Sequence, residues 1–133
     1  MHVSSEEIEY KWLEVASLYE QKIEDELTSG VLVAEYWQKI GLCYGLASRQ
    51  ANDVEDFKTL RRLGIGAYEK AADLFKQEIH VESAGKSEAC LALAEYLRSW
   101  ISVESSEKIR VLDKCRVLIG KAMKAFKALI LPI

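Results

Sequence analysis

Trp37-Gln38-Lys39-Ile40-Gly41-Leu42-Cys43-Tyr44 is the stretch that decides how this chain folds. Trp37, Ile40, Gly41 and Tyr44 recur at intervals of three, one and three, which places them on one face of a helix. The same face occurs 25 residues earlier as Trp12, Val15, Ala16 and Tyr19, and in blurred form as Cys90, Leu93, Ala94 and Leu97. Each copy sets a small residue between large ones, leaving a notch where a neighbouring helix can approach. Repetition of a notched apolar face predicts helices stacked in pairs.

Outward from this phrase, the rest of the chain reads as helix. The first helix starts near Ser4 or Ser5, with Glu6 and Glu7 at its positive end. It carries Ile8, Trp12, Val15, Ala16, Tyr19, Ile23 and Leu27 to Thr28-Ser29-Gly30, where Gly30 is expected as a left-handed cap. The second spans about Leu32 to Ala51 and is apolar around much of its circumference, as an interior helix is. Asn52 or Asp53 caps the third, which runs to about Ile79 through Gly64-Ile65-Gly66. His80 to Gly85 reads as a connection. A fourth helix covers about Ser83 to Ser102, and a fifth starts at Ser105 or Ser106 and ends before Pro132. No segment alternates as a strand does.

The totals agree. A chain of 133 residues, half of them apolar, makes one domain over 1–133, and a single proline favours long helices. The net charge of −3 lacks the basic excess of a nucleic-acid binder. Charge is polarised: residues 1–35 carry nine acids and two bases, and residues 105–133 carry two acids and seven bases. Cys43, Cys90 and Cys115 are far apart in apolar patterns, which predicts buried thiols, a reduced compartment and a cytoplasmic protein. The polar, acidic start Met1–Glu7 is unlike a secretion signal, and no apolar run reaches membrane-span length.

The second and third helices together resemble a tetratricopeptide repeat (TPR). Trp37, Ile40, Gly41 and Tyr44 match the first half of that motif, and Gly64, Tyr68 and Ala71 match the second. The closing proline of the motif is absent, and 20 positions separate Tyr44 from Gly64 where a regular repeat has about 9. The helices are therefore longer than in a regular TPR, and in this they are similar to SNAP-type vesicle-fusion adaptors. Cys90, Leu93, Ala94 and Leu97, followed by Cys115, Ile119 and Ala122, form a weaker second pair. The resemblance implies an all-α antiparallel array of about five helices; an up-down bundle is the structural alternative.

It also implies a concave groove lined by first-half helices. Mapped here, the groove positions are Glu35, Gln38, Leu42, Gly45 and Leu46, then Glu88, Leu91, Glu95, Arg98 and Ser99. The lysines and asparagines with which chaperone-binding members grip a terminal carboxylate are missing from these positions. A mixed apolar and acidic groove suits an amphipathic helix or a basic segment.

No constellation suggests catalysis, a cofactor or a metal. Gly85-Lys86-Ser87 is half of a phosphate-binding loop, but the glycine required five residues earlier is His80, and no strand precedes it. His2 and His80 have no partner three or four residues away. The pair Glu20 and Glu24 reads as part of an exposed acidic face. The last helix combines Lys114, Arg116, Lys121, Lys124 and Lys127 with a broad apolar face. That face reads as the uncapped end of a helix stack, awaiting a further helix or a second copy in a homodimer. A membrane-surface helix is the alternative. The function expected is a non-enzymatic protein-interaction scaffold; the alternative is a peripheral membrane adaptor using the last helix.

Overall fold

The computed structural model describes residues 5–25, 30–78, 81–101 and 105–130. They form five helices: α1 (Ser5–Asp25), α2 (Gly30–Ser48), α3 (Val54–Lys76), α4 (Val81–Ser99) and α5 (Ser105–Ile130). No strand occurs among the described residues. The fold is all-α and antiparallel, and packing follows chain order: α1 on α2, α2 on α3, α3 on α4, α4 on α5.

Local chemistry explains the helix ends. Asp53 caps α3, its carboxylate accepting the Asp56 N–H at 2.8 Å, and Glu55 and Asp56 sit in the first turn. Gly30 departs from expectation. It opens α2 rather than capping α1, and no described residue has a positive φ. Gly30 itself is exposed, and full burial on α2 begins one turn later at Ala34. The stretch 80–85 also departs from expectation, since α4 already begins at Val81. Ser4, Leu27, Thr28, Ser29, Ile79, His80 and Pro132 lie outside the described residues.

Three clusters make the core. Ala16 of α1 meets Ile40, Cys43 and Ala67, with Trp12, Val15, Tyr19, Trp37 and Tyr44 packed around them. The first two copies of the repeated phrase are therefore the two sides of one seam. A central cluster joins Ala34, Tyr68, Ala71, Phe75, Cys90, Ala94 and Leu97 from α2, α3 and α4. The third, Ala92, Cys115 and Leu118, is smaller and attaches α5. There the Cys115 thiol donates to the Ala92 carbonyl at 3.2 Å. All three cysteines are buried and free. Glu20 is half-buried and accepts the Tyr44 hydroxyl at 3.0 Å, so it belongs to the α1–α2 seam rather than to a solvated acidic face.

Small residues set the helix separations. A Cβ at Gly41 would lie 2.9 Å from the buried Tyr68 ring, and one at Gly64 would lie 2.8 Å from Leu97 Cδ1. A Cβ at Gly66 would meet nothing within 4 Å. Gly66→Ala should raise stability by up to about 1 kcal/mol, the helix-propensity gain. Gly41→Ala should lower it by about 1 kcal/mol or more, because overpacking against a fixed ring exceeds that gain. Urea denaturation of the two variants checks the pair of opposite signs.

Candidate functional site

Packing leaves a groove on one side of the stack. From α2 it takes Glu35, Gln38, Leu42, Gly45 and Leu46, which recur at three- and four-residue steps along one face. Tyr68 of α3 forms its floor. The α4 wall is made by Lys86, Leu93, Tyr96 and Leu97. Leu97 seats between Gly45 and Gly64, which holds α4 against the α2–α3 pair.

The expected α2 positions therefore share one groove, and the expected α4 positions do not join them. Glu88, Leu91, Glu95 and Arg98 lie about half a helical turn from Lys86, Leu93 and Leu97. Leu91 packs into the core beneath α4. Glu95 is buried, paired with Arg98 and held by Lys114 of α5 at 3.3 Å. Arg98 also reaches Glu69 of α3 at 3.5 Å. Ser99 is buried and bonds back to the Tyr96 carbonyl. The mapping assumed that α4 repeats the α2 frame. In fact α4 must present Cys90, Ala94 and Leu97 to the α2–α3 pair and Ala92 to α5, and this rotates its acids to the far side.

Electrostatics in the groove changes accordingly. Glu35 is matched by Lys86 at 3.5 Å, and Lys86 also pairs with Glu82 at 3.3 Å. Gly85-Lys86-Ser87 is thus interior α4 sequence: Gly85 packs under Phe126, and Ser87 donates to the Ala72 carbonyl at 2.8 Å. Lys86 thereby bridges α2 and α4. At the other end of the groove stand Arg49 and Arg61. Sequence reasoning missed both: Arg49 continues the same spacing one step past Leu46, where the mapping stopped, and Arg61 lies on α3, which the mapping left out. The available signal was Arg61 itself, a cation among the apolar positions Leu60, Gly64 and Ile65 of α3.

The face continues past α4. Leu93 and Tyr96 also line a cleft of about 460 Å³ between α4 and α5, with Ala89, Ile119, Met123 and Phe126. Ile119 is 47% exposed and Met123 56%, so α5 does leave an apolar strip uncovered. Along α5 this strip reads Lys108, Leu112, Arg116, Ile119, Met123, Lys127, at steps of four, four, three, four and four.

No protein-family model, no curated protein and no solved structure matches the chain. No described helix is long and apolar enough to cross a membrane.

Burial under the groove sets a pH dependence. It pushes the Tyr68 phenol up, and it pushes the Cys90 thiol from 9.0 up to about 12. Tyr44 rises to about 12 through burial and then through its bond to Glu20. Raised values mean that folding favours the protonated groups. Their contribution is complete below the unfolded-state values and is lost as pH climbs through the folded ones. Stability should fall from about pH 9 towards 12, with Cys90 alone contributing about 1.4 kcal/mol per unit. Urea midpoints across that range, with a shallower slope for Cys90→Ala, check it.

Proposed function

We propose that this chain is a non-enzymatic interaction module whose grooved face holds an amphipathic helix of a partner protein. The observation that carries this reading is the continuity of the face. Leu93 and Tyr96 belong to both the α2–α4 groove and the α4–α5 cleft, and both remain partly exposed although the core lies next to them. A concave apolar channel with a polar rim is the usual form of a helix-in-groove site. The TPR-like grammar of α2 and α3 supports the same reading, since stacked helix pairs present such faces. Three buried, free thiols suit work in the reducing cytoplasm.

The open α5 strip extends the surface. Two copies meeting through it would bring seven bases of residues 105–133 against seven more, which favours a foreign partner over a homodimer. The alternation of bases and apolar residues along the strip supports, as a second reading, attachment to anionic membrane. Failure to co-sediment with phosphatidylserine vesicles at low salt removes that reading.

A photocrosslinking residue placed at Leu42 or Leu93 should capture one discrete protein partner in cells, and one placed at Ser17 should not. Leu42→Glu should weaken binding to that partner at least about tenfold while leaving the urea midpoint nearly unchanged, because Leu42 is 50% exposed. Equal capture from Leu42 and Ser17 would overturn the proposal.

A further inference from the structure

The cleft between α4 and α5 makes two demands on whatever fills it. Its floor is the buried Ala92, Cys115 and Ala122, and Leu93, Ile119 and Met123 stand at its mouth, each more than a third open to water. No charged side chain lines it. Its one thiol is already committed, since Cys115 donates to the Ala92 carbonyl. An occupant must therefore bring protruding apolar side chains that reach a recessed floor.

The second demand is charge. α5 carries seven bases and only two acids, Glu107 and Asp113. Lys114 is held by Glu95 at 3.3 Å and Arg116 by Asp113 at 2.5 Å. Lys108, Arg110, Lys121, Lys124 and Lys127 form no ion pair among the described residues. Lys108 and Lys127 end the line that runs through Leu112, Arg116, Ile119 and Met123 on one side of α5. That line is about 28 Å long at 1.5 Å per residue.

Three kinds of surface attract bases interleaved with apolar residues, and the shape of the cleft separates them. An anionic bilayer is flat on this scale; it meets Ile119 and Met123 and leaves Ala92 and Ala122 uncovered. A second copy offers its acidic α1, with seven acids and two bases. But α1 uses its apolar residues on α2, and from Lys11 onward Leu18 is its large exposed aliphatic side chain, too little to fill about 460 Å³. A foreign helix with an apolar ridge between acidic flanks meets both demands.

We infer that the α4–α5 cleft takes an acidic amphipathic helix of the partner, laid along α5, with its ridge in the cleft and its carboxylates on Lys108, Arg116 and Lys127. This rests on the interaction reading above and names the chemistry and position of the partner segment. It reverses the basic segment expected from sequence, because acids behind that expectation are matched within the chain: Glu35 by Lys86 and Glu95 by Lys114. Exposed ion pairs contribute little each, so the bases select the helix and speed its arrival while the apolar cleft holds it.

Selection of a randomised library of amphipathic helical peptides on the full chain tests the site. Selected peptides should carry acids beside their apolar ridge. Lys108→Gln combined with Lys127→Gln should weaken them about three- to tenfold. Met123→Glu should weaken them at least about tenfold. Urea midpoints should stay nearly unchanged, because all three side chains are exposed. Lys127→Glu should change one flanking position from acid to base, a switch that a general loss of structure does not produce. Peptides indifferent to the α5 substitutions but lost in Leu42→Glu overturn the inference and leave the interaction module standing. Peptides seated on α5 without acids overturn it too. Failure to select any peptide on either face counts against both readings. Sedimentation of the native protein at low salt should show one species; self-association relieved by Glu14→Lys gives the strip to a second copy and overturns the inference. Binding to phosphatidylserine vesicles that a selected peptide does not displace gives it to a membrane, with the same consequence.

Discussion

Contact between Gly41 and the Tyr68 ring is the constraint from which the rest of the arrangement follows. Without a side chain at position 41, the α2 backbone comes close enough for the ring to lie flat beneath it. Tyr68 is then 4% exposed, filling the centre of the α2–α3–α4 cluster and lining the groove above it. The same device appears one helix further on, where Leu97 occupies the space left by Gly64 and touches Gly45. Two glycines thus draw three helices together, at an intrinsic helix penalty of about 1 kcal/mol each. Close packing of a buried aromatic ring and a leucine offsets that penalty, since each buries enough apolar surface to contribute roughly 1.5–3 kcal/mol.

Helix content and helix order were legible in the sequence because apolar spacing is a local signal. The notches were legible too: Ala16, Gly41 and Ala94 are all buried where helices meet. Asp53 was legible as a cap because its chemistry acts within four residues. Gly30 was misread because a glycine after a helix signals termination only when the chain turns there with a positive φ; here the next helix starts at it. Side-chain direction around α4 was the larger miss. A repeat frame copied from α2 presumes equal neighbours. But α2 lies between α1 and α3, while α4 lies between α3 and a more loosely covered α5.

The two ends of the stack are chemically unequal. α1 turns Trp12, Val15, Ala16, Tyr19 and Ile23 inward, and among the side chains described from Lys11 onward Leu18 is its large exposed aliphatic one. α5 buries Cys115, Leu118 and Ala122 but exposes Ile109, Leu112, Val117, Ile119 and Met123. A helix stack needs a polar outer face at each end to remain dispersed. The acidic head supplies one. The α5 end instead has apolar strips flanked by bases, so the two ends differ in how much apolar surface they leave to water.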